Sequence, residues 1–125
     1  MPELRAIISF ELDGVPLPDM PIVRRYIVGE AATNTVIIAT PDNNNTSFHA
    51  IQAAIMPALG AICITNDQPA NIKINLNTPL PLNAGGLILI LGANLAQGTP
   101  NQNIEYNNPA ASGNVTLGIP ILGGT

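Results

Sequence analysis

The sequence predicts an all-β protein: one single-domain β-sandwich over residues 1–125, of about eight or nine strands, with jelly-roll or Ig-like topology. Three features of the chain point there. Apolar residues alternate with polar ones in short runs from end to end, the period of a half-buried strand. Twelve prolines and eleven glycines fall largely between those runs, where corners need a fixed or a positive φ. At 125 residues, the chain can bury roughly two-thirds of its unfolded surface without a disulfide or a metal.

The elements follow in order. Leu4, Ala6, Ile8, Phe10 and Leu12 alternate with Arg5, Ile7, Ser9 and Glu11, which predicts one strand over 4–12. Asp13-Gly14 and the prolines 16, 18 and 21 end it, as turn and breaker residues do. Residues 22–28 and 35–40 are the next β-rich runs, separated by Gly29 and the small residues 31–34. Residues 41–45 form a loop, because Asp and Asn side chains satisfy turn geometry themselves. Residues 47–60 read two ways: Phe48, Ile51, Ile55 and Met56 fit helical spacing with Pro57 as a stop, and the same stretch fits a short strand and an Ala-rich turn. Residues 61–65 are a strand, 66–69 a turn, and 71–77 the cleanest alternation of all, with Ile72, Ile74 and Leu76 on one face. Residues 78–85, with Pro79 and Pro81, suit a sheet edge. The apolar run 87–91, between Gly85-Gly86 and Gly92, predicts a strand buried on both faces. Residues 96–103 read as a polar loop, 103–106 and 114–120 as the last strands, and 123–125 as a frayed end.

Composition narrows the function. Charged residues are 10% of the chain and the bases are Arg5, Arg24, Arg25 and Lys73 alone, with a net charge of −4. Four scattered cations cannot draw a phosphate-binding footprint, and four aromatics (Phe10, Tyr26, Phe48, Tyr106) leave no stacking platform; no nucleic-acid partner is expected. The longest strictly apolar run, 87–91, falls far short of the roughly 18 residues of a membrane span. The N-terminus has no signal-peptide pattern, so a protein made in the cytoplasm and free of membrane is expected. Cys63 is the single cysteine; no internal disulfide can form, and in its apolar run the thiol packs as a small hydrophobe. The triplets that begin at Asn44, Asn45 and Asn114 fit a glycosylation acceptor in form only, since no secretory route is expected.

Little points to catalysis. His49 is the sole histidine, and neither metal-ligand spacing nor a nucleophile and orienting carboxylate can be placed beside it. Ser9, Ser47 and Ser112 are the serines, none in a G-x-S-x-G turn. The carboxylates Glu3, Glu11, Asp13, Asp19, Glu30, Asp42, Asp67 and Glu105 read as solvated charges at strand ends and turns. Residues 42–46 offer oxygen ligands but lack the glycine and distal glutamate of a calcium loop. Gly85-Gly86 reads as a positive-φ turn and not a phosphate loop. Arg24 and Arg25, adjacent in a β run, point to opposite faces, so one of them meets solvent or a partner. No catalytic, cofactor-binding or metal-ligating residue is therefore assigned, and no enzyme is expected.

Low charge points elsewhere. Soluble proteins keep their neighbours away with charge, whereas here fifteen asparagines carry the polarity. Ile7, Ile37 and the alanines of 50–61 leave apolar area that one small sandwich does not hide, which suits burial against copies of the chain or a larger partner. A monomer with a neutral surface is the alternative.

The stretches 62–77, 80–92 and 104–109 then carry a pattern: Thr65-Asn66-Asp67-Gln68-Pro69 before an alternating strand, Leu82-Asn83-Ala84-Gly85-Gly86 before an apolar one, and Asn108-Pro109 before a final strand. This resembles small β-sandwich virion structural proteins of tailed bacteriophages, over residues 62–120, about half of the chain. The resemblance implies a non-enzymatic virion component, foremost a capsid decoration (cement) protein that stabilises the head as a homo-oligomer, such as a trimer, on major capsid or other virion proteins. It carries over no catalytic residues. A carbohydrate- or receptor-binding fibre or spike module, and a head–tail connector accessory protein, are the alternatives; an enzyme built on His49 comes last. Loops 41–47 and 96–103 and the N-terminal segment are the expected contact regions.

Overall fold

The computed structural model describes residues 2–43, 47–51, 58–74, 78–96 and 104–124. Their regular structure is β throughout, with no helix among the described residues. The strands are β1 (Glu3–Ile8), β2 (Glu11–Leu12), β3 (Val15–Pro16), β4 (Ile22–Ile27), β5 (Glu30–Ala39), β6 (His49–Ala50), β7 (Ala58–Asn66), β8 (Ala70–Ile74), β9 (Leu80–Leu82), β10 (Leu87–Ala96), β11 (Ile104–Asn107) and β12 (Val115–Gly124).

Strands β5 to β12 make two four-stranded antiparallel sheets packed together, one ordered β10-β7-β12-β5 and the other β6-β11-β8-β9. The chain crosses between them repeatedly: β5, β7, β10 and β12 lie in the first sheet, β6, β8, β9 and β11 in the second. Register explains the core. Ile90, Ile62, Leu122 and Ala32 stand side by side across the first sheet, and Ile64, Leu117 and Ile119 join them on the same inner face. Ile72 and Ile104 answer from the second sheet, all within one cluster. Each such side chain contributes about 1.5–3 kcal/mol when fully buried.

The first four strands belong to neither sheet. β1 pairs with β4, Glu3 opposite Ile27 through Ile8 opposite Ile22, and β2 pairs with β3. Asp13 and Gly14 both have positive φ (51° and 77°) between β2 and β3, the conformation a two-residue hairpin turn asks of an Asp-Gly pair. The expected single strand over 4–12 is therefore two strands. Leu17 N–H still donates to Phe10 O (3.0 Å), but Asp19, the next residue whose N–H would face the partner strand, takes a positive φ of 62° and leaves the ladder. The Met20–Pro21 bond is cis, and β4 follows it.

Other expectations change for equally local reasons. The strand expected at 35–40 begins at Glu30, because β12 runs far enough to pair Gly124 with it; Asn34, midway, has a positive φ of 55°. The end expected to fray is held: Gly123 and Gly124 are buried and paired on both sides, to β5 and β7. Ile37, expected to add exposed apolar area, packs against the core. The helical reading of 47–60 fails at both described ends, since His49–Ala50 and Ala58–Asn66 are strands and Ile51 N–H donates to Ile104 O (2.9 Å); residues 52–57 lie outside the described set. So do 44–46, 75–77, and 97–103 of the expected polar loop. Finally, β10 is not buried on both faces. It is an edge strand whose Ile88 and Ile90 pack on the core while Leu87 and Leu89 remain 60% and 38% exposed.

Candidate interaction surfaces

Residues 2–27 form an arm with no core of its own: none of them is buried. Val28, only 2% exposed, is the joint. Its N–H donates to Pro2 O (3.0 Å), Gly29 N–H donates to Gly124 O (2.8 Å), and its side chain lies where a Cβ on Gly123 would come within 2.8 Å. Beyond the joint, Ile7, Phe10, Leu12, Val15, Leu17, Val23 and Ile27 are 38–68% exposed. At about 1.5–3 kcal/mol for burying each fully, burying what remains exposed on these seven would contribute on the order of 8 kcal/mol, before the costs of association.

Charge on the arm is uneven. Arg5 and Arg25 stand directly opposite each other in the β1–β4 ladder, an unfavourable cross-strand pair. Glu3 approaches Arg25 at 3.6 Å, with both side chains about half exposed or more, a contact worth about 0–1 kcal/mol. Arg24, on the other face as expected, donates to Val23 O (3.0 Å), and both arginines are exposed.

The second surface is the outer face of the first sheet. Leu89, Cys63 and Ile121 form one row across β10, β7 and β12; Leu87, Thr65, Gly118 and Val36 form the next, reaching β5. Val36 and Ile38 are 62% and 55% exposed. Cys63 is half-buried in this row, and burial pushes its thiol pKa up, the inert state expected of it.

The polar residues do structural work at the corners. Asp42 accepts from His49 Nε2 (2.8 Å) and from Asn108 N–H (2.9 Å). Burial opposes the charge on Asp42, but His49 and the Asn108 amide outweigh it and hold its pKa below the ordinary carboxylate value. Asn108, fully buried, donates to Ala39 O and Gly113 O and accepts from Ala110 N–H. Asn107 and Asn66 are buried too, donating to Ser47 O and to Gln68 O and Asn83 O respectively. The sequence alone could not put Asp42 beside His49, because the six residues between them carry no spacing signal for a side-chain contact.

Remaining residues of interest are scattered. Tyr106 packs on the core with its ring 5.3 Å from that of His49, and burial and the Asp42 charge raise its pKa. Lys73 sits over the Phe48 ring at 4.3 Å. Gly85 has φ 75° and Gly86 is pressed against Asn66, so the pair serves a tight turn. Among the described residues no group of three or more His, Cys, Asp or Glu is placed to hold a metal ion. One open cavity of about 560 Å³ lies at a corner between Gln68, Pro69, Pro109, Ala110, Asn114 and Val115.

The class these features define is an all-β protein of two packed four-stranded sheets carrying an N-terminal β-arm. Compared with family models, curated proteins and solved structures, the chain matches none.

Proposed function

We propose that the protein is a non-enzymatic structural component of a bacteriophage virion, a capsid decoration protein whose sandwich is the rigid body and whose arm makes the contacts. The observation that carries this is the arm: seven large apolar side chains left exposed, five of them on strands and Phe10 and Leu17 flanking the β2–β3 hairpin. Monomeric proteins rarely show such area without a use for it. Strand order adds support. Counted from β5, the sheets run first-eighth-third-sixth and second-seventh-fourth-fifth, the order two Greek keys give in a jelly roll, a fold recurrent in viral capsid and lectin domains. A protein of this kind stabilises a shell by binding the assembled lattice better than its free subunits.

Immunogold labelling of intact particles with antibody to this chain tests the proposal. Label over the head, together with a lower melting temperature of heads that lack the chain, is expected. Label at the neck would move the chain to a connector role, and particles free of it would overturn the virion reading. The corner cavity favours a second reading, carbohydrate binding, since Gln68 and Asn114 present amides there beside two proline rings. Glycan-array binding lost on Gln68→Ala would establish that reading instead.

A further inference from the structure

We propose that the arm is a dimerisation element, with two copies laying their arms antiparallel so that the β1–β4 ribbon of each meets the β2–β3 tip of the other. This deepens the assembly reading above, on which it rests, by naming what the arm grips. The charges carry it. The ribbon bears Arg5 and Arg25 on the face of Ile7 and Val23, with Glu3 beside them and Arg24 on the reverse face, a net +2 over the ribbon as a whole, while residues 9–21 bear Glu11, Asp13 and Asp19 with no base, a formal −3. One arm thus has a basic half and an acidic half, complementary to itself when turned end for end, which is the requirement of a two-fold interface.

Three of the four carboxylates of the sandwich are engaged or buried. Asp42 and Asp67 already accept hydrogen bonds from His49 and Asn108 and from Thr116 N–H, and Glu105 is 6% exposed. Among the described residues no ion pair engages Glu11, Asp13 or Asp19 within the chain. The facing pair Arg5 and Arg25 repels as it stands, and an acidic tip laid across it removes that penalty. The same docking covers Phe10, Leu12, Val15 and Leu17 of the tip with Ile7 and Val23 of the ribbon. Size agrees: an interface of standard area takes roughly 20–30 residues a side, the length of residues 2–27. An isolated two-stranded ribbon is marginal in water, and a partner copy would stabilise it.

The test uses the full chain and light scattering after size exclusion. Wild type is expected at twice 13.0 kDa, with a dissociation constant that rises about tenfold or more from low to high salt as the exposed charges are screened. Arg5→Glu with Arg25→Glu makes the Ile7–Val23 face of the ribbon acidic. Glu11→Lys with Asp13→Asn and Asp19→Asn makes the tip basic, and Asn keeps the positive φ of 51° and 62° at those two positions at little strain. Each variant alone is expected to be monomeric at concentrations where wild type is dimeric. Their equimolar mixture is expected to return to the dimer mass. A monomeric wild type, a dimer that both variants leave intact, or a mixture that stays monomeric would each overturn the pairing; the second result would move the contact to the Leu87–Val36 face. Particle labelling is read independently, so loss of the dimer and loss of the virion role are separate results.

Discussion

The arm and the sandwich are written in the same alternating pattern and end in opposite states. In β8, Ala70 and Ile72 are 3% and 0% exposed; in β1, Ile7 is 59% exposed. Both runs have strand periodicity and an antiparallel neighbour. The difference lies across the sheet. β8 faces Ile62, Ile64 and Leu117 of the opposite layer, all in one cluster, whereas β1 and β4 have only each other to pair with. Hydrogen bonding in a ladder makes a strand, and a second layer makes a core. An apolar strand face with no second layer in its own chain is a surface waiting for one.

The largest test of this contrast is a pair of truncations. Ile72→Ala should cost about 2–5 kcal/mol and Leu12→Ala should stay within about 0.5 kcal/mol, both by urea denaturation of the monomer. Equal losses would erase the distinction between the two regions. Next comes Asn108→Ala, which removes both donors and the acceptor that tie 39, 110 and 113 together. A loss of about 2–3 kcal/mol is expected, because buried carbonyls are left unpaired, and it should appear as a lower melting temperature with the arm unchanged in hydrogen exchange.

A smaller effect depends on pH. The Asp42 pKa is held below its ordinary value, so its stabilisation is present above about pH 4 and is lost as pH falls through the folded value. Asp42→Asn should therefore lower the urea midpoint at pH 7, and the gap should shrink as pH falls below the ordinary carboxylate value; a gap that stays constant as pH falls would contradict the assignment. The smallest is Gly14→Ala. Its φ of 77° costs an L-residue about 1 kcal/mol, with no clash within 4 Å. Faster exchange of the β2–β3 amides is expected, with no change in the midpoint of the sandwich.

Much of this architecture was legible in the chain. The strands at 22–28, 61–65 and 103–106 fall close to β4, β7 and β11, and Gly85 takes the positive φ expected of it. The misjudged places share a cause. Leu87 to Leu91 reads as doubly buried because it is apolar throughout, yet its position at a sheet edge with nothing over one face left Leu87 out. Gly123 and Gly124 read as a loose end because glycine has no side chain to pack, yet that smallness lets Val28 close over Gly123. Asparagine composition suggested surface, and Asn66, Asn107 and Asn108 are inside, spent on the carbonyls and amides of the corners.

By itself the sequence determined what is local. A period of two dictates strands, and Asp13-Gly14 dictates a hairpin turn. Tertiary structure alone decided which of those strands share a layer, that Asp42 meets His49, and that residues 2–27 stand outside the core they are patterned to join. The reason is physical: alternation is set by neighbouring residues along the chain, while burial depends on a surface supplied from far away in sequence, and for the arm none of the described residues supplies it.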